Sequence, residues 1–277
     1  MLFDVHLRPT GLSRRDVADL RFFGVAGALC PVEQPPGPVP ASRLRRSWEE
    51  LSGAALARLR RGGLGAFAAL GVPPRAIPWR GLEALLAELP ELLSRPGVAA
   101  IGPVGLEGGA EREETTFARQ LELARELRLP VLVHTPEREK VARTRRTLAL
   151  LRESGLDPRR VLVDHADART VRTIRAVGYG AVLSLSAARP GGAVEEAARL
   201  VRALGPEGIA LASDAGEGLG DLLALPRAAD RMARLGLSEA VIRRVCGRNA
   251  LEALGLSPRG VAAAGAPSVP SGRRTSP

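Results

Sequence analysis

The stretch Leu129-Pro130-Val131-Leu132-Val133-His134-Thr135-Pro136 is a short apolar run bounded by prolines and closed by a histidine. Proline lacks an amide hydrogen and interrupts regular structure, so the run reads as a buried strand punctuated at both ends. It is one of eight. The others are Leu2–His6, Val25–Cys30, Gly63–Leu70, Val98–Gly102, Val161–His165, Tyr179–Leu185 and Ile209–Asp214. Helical patterns separate them: Arg14–Phe22, a segment from a cap at Ser47 through Arg61, Leu82–Leu93, Thr115–Leu127, Val141–Arg152, Ala168–Val177 and Val194–Leu204. Ser13 with Asp16 three residues on spells an approximate capping box for the first. Two closing helices, Leu222–Leu235 and Ser238–Leu254, follow the last strand.

Short strands alternating with helices over 277 residues predict an α/β protein, a (β/α)8 TIM barrel forming a single domain over residues 1–256. From Ser257 the chain is Gly, Ala, Pro, Ser and Arg without periodicity, and 257–277 reads as a disordered tail. The rival fold is a doubly wound dinucleotide-binding sheet. It would need GxGxxG after the first strand, where this chain has His6-Leu7-Arg8-Pro9-Thr10-Gly11.

A barrel gives strand ends a meaning, because its site is built where the C-terminal ends converge. The chain has only three histidines, His6, His134 and His165, and each closes a predicted strand; Asp214 closes the eighth. Imidazole nitrogens with a carboxylate oxygen suit a divalent metal, zinc first, with manganese, iron or magnesium as alternatives. Asp214 serves either as a ligand or as the base that orients and deprotonates water. Asp164, next to His165, is expected to face away if the strand alternates. The blander readings are core histidines satisfied by hydrogen bonds and, for Asp214, an N-cap before the next helix.

These residues resemble the TatD-like branch of the metal-dependent hydrolase (amidohydrolase) superfamily over about residues 1 to 256. The pieces that carry the resemblance are Phe3-Asp4-Val5-His6, Ile101 to Glu107, Val133-His134-Thr135-Pro136, Asp164-His165, Ser213-Asp214-Ala215-Gly216 and the terminal Gly247 to Leu256. The resemblance implies His-x-His on strand one, a metal-bridging Glu on strand four, a histidine each on strands five and six, and an Asp on strand eight. His6, His134, His165 and Asp214 match. Arg8 stands where the second histidine of the first pair belongs, and Pro103 where the bridging Glu belongs. Without a bridging anion, and with an arginine that cannot be deprotonated, one metal is expected instead of the family's two. Glu107 reads as an exposed loop acid; turned inward, it would be an auxiliary to the site. Arg8 has three readings: pairing with Asp214 in place of a metal's charge, clamping a ligand's phosphate or carboxylate, or pointing outward in an inactive descendant; the first two together are favoured.

Composition narrows the rest. A 45% hydrophobic content with 3% aromatics describes an aliphatic core. No apolar run is long enough for a membrane span, and the N-terminus enters a strand at once, so a cytoplasmic protein without a signal peptide is expected. Cys30 and Cys246, far apart, suggest neither a zinc ribbon nor a disulfide framework. The net charge of +10 is 40 basic residues, of which only Lys140 is a lysine, against 30 acidic ones. Its clusters (Arg43, Arg45 and Arg46; Arg58 to Arg61; Arg143 to Arg146) read as solvated faces, and no specific nucleic-acid binding is expected.

Two functions follow. The first is a metal-dependent hydrolase using one divalent ion against a phosphoester, ester or amide bond of a small-molecule substrate; some members of the resembled family are deoxyribonucleases. The second is a catalytically silent barrel that binds a small metabolite or partner at the degenerate site.

Overall fold

The computed structural model describes residues 1–186, 193–216 and 220–266. Eight strands form one parallel sheet in sequential order: β1 (Leu2–Asp4), β2 (Val25–Pro31), β3 (Gly65–Leu70), β4 (Val98–Gly105), β5 (Val131–His134), β6 (Val161–Ala166), β7 (Gly180–Ser184) and β8 (Ile209–Ala212). Each strand pairs with the next in parallel register, from Leu2 opposite Val25 to Ser184 opposite Ala212. The fold is the expected (β/α)8 barrel.

The last seam, β8 to β1, closes beyond the regular ladders. Leu7 bridges to Ala215, Arg8 N–H donates to the Ala215 carbonyl at 2.8 Å, and Asp214 N–H donates to the His6 carbonyl at 3.1 Å. Asp4 supplies the other fastening. Its carboxylate accepts from Ser213 Oγ at 2.5 Å, Ser213 N–H at 3.1 Å and His6 N–H at 3.1 Å. Burial pushes the Asp4 carboxyl up to about 6, against the pull of those hydrogen bonds.

Period-two alternation sorts the strands. Leu132 and Leu162 belong to an inner cluster with Phe3, Leu29, Phe67 and Val182, whereas Val131, Val133, Val161 and Val163 pack outward in the shell beneath the helices. The predicted Arg14–Phe22 helix is present, and Ser13 and Asp16 exchange the two hydrogen bonds of a capping box. Leu82–Leu93 and Val194–Leu204 also fall as predicted.

Several boundaries need correction: the fourth strand runs on to Gly105, and the helix predicted from Thr115 begins at Glu111. The second helical segment starts at Ala41, after Pro40, and Ser47 lies inside it, its hydroxyl donating to the Arg43 carbonyl instead of capping an end. The tail begins later than Ser257. Ser257 caps a short helix, Pro258–Ala264, because its side chain accepts from Gly260 N–H, and Val261 is fully buried in the inner cluster. This helix lies against β2 and β3 at glycines: a Cβ on Gly65 would sit 2.3 Å from the Val261 carbonyl oxygen. Residues 267–277, the rest of the predicted tail, lie outside the described residues.

Candidate metal centre

The strand ends of β1, β5, β6 and β8 bring His6, His134, His165 and Asp214 to the same face, all of them buried. The His165 ring lies 5.5 Å from that of His6 and 5.3 Å from that of His134, centroid to centroid. His6 Nε2 is 3.5 Å from Asp214 Oδ1.

Asp164 was expected to face away and does not. His6 Nδ1 donates to Asp164 Oδ2 at 2.6 Å. The pleat itself turns Asp164 inward, two residues after the inward Leu162. His165 should then point out, but its backbone is left-handed, with φ +59°, and this break returns its ring to the site. Asp214, with φ +54°, leaves β8 in the same way. One donor atom each from His6, Asp164 and His165 fall within 4.8 Å of one another, close enough to share one cation. Two imidazoles and a carboxylate, all buried, are the donor set a zinc-like ion takes.

Burial alone would lower the His6 pKa; the carboxylates of Asp164 and Asp214 outweigh it and raise it. Arg8 comes from the loop after β1, and its guanidinium donates to Asp214 Oδ1 at 2.8 Å. The arginine in the place of a family histidine is therefore bound to the eighth-strand carboxylate.

Glu107 is no exposed loop acid. It accepts from His134 Nε2 at 2.9 Å and from Arg75 at 2.5 Å. Burial would raise its pKa, but these hydrogen bonds and charges draw it down to about 2. Glu113 holds the loop in place by accepting from the backbone N–H groups of Glu107, Gly108 and Gly109.

Arg8, Arg43 and Arg75 line a cavity of about 300 Å3 together with the three histidines. Pro103 and Val32 to Pro36, part of the proline-rich stretch Pro31 to Pro40 that starts at the end of β2, complete much of its wall. Sequence reasoning missed Arg75, which follows the Pro73-Pro74 breaker; its place just after a strand end was the available signal. It also counted Arg43 with a solvated cluster. Cys30 is a buried thiol whose pKa burial pushes up.

A parallel barrel with imidazoles and carboxylates gathered at its C-terminal rim has the build of a metal-dependent hydrolase. The family model described as TatD related DNase matches residues 20–215, and the chain belongs to that family of TatD-like metal-dependent hydrolases. The matched span begins after β1, so His6 and Arg8 lie outside it. An uncharacterized metal-dependent hydrolase of Methanocaldococcus jannaschii is 33% identical over 196 residues, 70% of this chain and 76% of that protein. The crystal structure of a TatD-like protein from Archaeoglobus fulgidus superposes with a TM-score of 0.77 at 27% identity, covering 92% of this chain and 100% of that one. A phosphotriesterase homology protein from Escherichia coli, complexed with phosphate in its active site, gives a TM-score of 0.72 at 15% identity, covering 90% and 96%. At that identity the likeness is one of fold. Among the described residues no helix is long and apolar enough to cross a membrane.

Proposed function

We propose that the chain is a hydrolase that uses one divalent metal, zinc by preference, to cleave a phosphoester, ester or amide bond in a small substrate. The observation that carries this reading is the convergence of donor atoms from His6, Asp164 and His165 within 4.8 Å beside the cavity. These three would hold the ion, with His134 and Asp214 as the further candidates at the same rim. A divalent cation bound there would supply Lewis acidity and lower the pKa of bound water toward neutrality. Arg8 holds Asp214. Glu107, anchored by Arg75, orients His134 through Nε2. Val32 to Pro36 form one wall of the cavity beside the site.

The contact between Arg8 and Asp214 also favours a second reading, a silent barrel in which the guanidinium stands in for a cation and the cavity only binds. Elemental mass spectrometry of protein purified without chelator separates the two. The hydrolase reading expects about one zinc, manganese or iron per chain. It also expects His165→Ala to reduce that content at least tenfold without loss of the circular dichroism of the folded barrel. A metal-free wild type that takes up nothing on addition, or a hydrolysis that His165→Ala leaves intact, overturns the metal mechanism.

A further inference from the structure

Among the described residues three arginines line the cavity beside the metal centre, in unequal circumstances. Arg8 is bound to Asp214 and Arg75 to Glu107. Of the carboxylates that line the cavity, Glu137 lies 3.7 Å from Lys140 Nζ and Glu33 turns to the Thr10 hydroxyl. Arg43 pairs with no carboxylate among the described residues. It stands in the first turn of the helix Ala41–Glu50, where its N–H donates to the Pro40 carbonyl at 2.9 Å. The prolines of the preceding loop limit backbone freedom, so the guanidinium is presented from a stiff mount.

An uncompensated guanidinium at a ligand cavity is a recognition element for a planar or tetrahedral oxyanion, which its fork engages through two N–H groups. The other charged lining groups already have partners: Arg8 and Arg75 hold carboxylates, Glu137 lies by Lys140, and Glu33 accepts from the Thr10 hydroxyl. Among the described residues no Phe, Tyr or Trp lines the cavity, and its aromatic rings are the three imidazoles of the metal centre. About 300 Å3 accommodates a small molecule.

We infer that this cavity takes a small substrate bearing a terminal oxyanion, a phosphate or a carboxylate, and that Arg43 is the residue that selects it. The inference rests on the hydrolase reading for the word substrate, but the anion subsite itself does not depend on turnover. Its role is in specificity: Arg43 anchors the charged end while the scissile bond lies toward the histidines.

The test is calorimetric titration of the full chain with inorganic phosphate and, separately, with succinate. Wild type, Arg43→Ala and Arg231→Ala are compared; Arg231 is an exposed arginine paired with Glu195 on a surface helix. At least one probe is expected to saturate the wild type. Arg43→Ala should weaken it tenfold or more, and Arg231→Ala should not change it. Saturation by phosphate alone assigns a phosphorylated substrate, by succinate alone a carboxylated one, and by both an oxyanion of either kind. No saturable binding of either probe, or equal binding by Arg43→Ala, overturns the inference. A chain that binds through Arg43 yet hydrolyses nothing keeps this subsite and refutes the hydrolase. A chain that hydrolyses esters with no dependence on Arg43 does the reverse.

Discussion

Arg8 shows how one side chain changes what a site can hold. A guanidinium keeps its charge at any working pH, and here it already satisfies one oxygen of Asp214. A second cation at that carboxylate would meet a repulsion of about 4 kcal/mol for each pair of unit charges some 4 Å apart, at an effective dielectric of about 20. Pro103 adds no compensating anion. Restoring the family pattern with Arg8→His and Pro103→Glu together should raise metal stoichiometry above that of the wild type in elemental analysis. An unchanged ratio would count against the account of a site reduced by these two residues. The four matched positions, His6, His134, His165 and Asp214, were legible because each closes an apolar run. Asp164 was not, because its direction depends on where the strand leaves the pleat. The left-handed turn at His165 puts two consecutive side chains on one face, which no period-two pattern encodes.

The helices show which local signals suffice. Ser13 and Asp16 lie together in sequence and form the cap their spacing predicts. Ser47 has a comparable local appearance, yet the helix starts after Pro40, seven residues earlier, and Ser47 bonds back to Arg43 from within a turn. Ser13→Ala should therefore lower stability by about 1 kcal/mol in urea unfolding, while Ser47→Ala should change it by no more than about 0.5 kcal/mol. The Ser13 backbone N–H, first, and its hydroxyl hold Asp16 below its ordinary value of 3.8. A depressed carboxylate stabilises the fold above the unfolded pKa and ceases to do so as pH falls through the folded one. The penalty of Asp16→Ala is thus expected in full at pH 6 and should shrink below about pH 4. Two longer helical stretches carry a π turn each, Leu51–Ala55 and Arg244–Arg248. Gly247 in the second meets β1 so closely that a Cβ there would lie 2.9 Å from the Met1 carbonyl oxygen. A helical pattern reports the helix and not this contact.

The barrel as a whole depends on the β8–β1 seam, where side chains do part of what a ladder does elsewhere. Asp4 ties the backbone that carries His6 to the segment that carries Asp214, through His6 N–H and both donors of Ser213. Asp4→Ala leaves these buried donors without an acceptor and should cost about 2–4 kcal/mol, read from the urea midpoint at constant slope. A cost within about 0.5 kcal/mol would mean that water or a neighbour replaces the carboxylate.

The eight apolar runs, the helices between them and the histidines at their ends were determined by local order along the chain. Buried strands and amphipathic helices announce themselves through short periodic patterns, and the motifs that mark the family sit inside them. The partners within the site were decided only by tertiary structure. Glu107 with His134 and Arg75, Arg8 with Asp214, and Arg43 on the cavity wall join loops from different strands. Such contacts arise because barrel closure brings eight strand ends to one face, and no local pattern specifies which of the side chains there will touch.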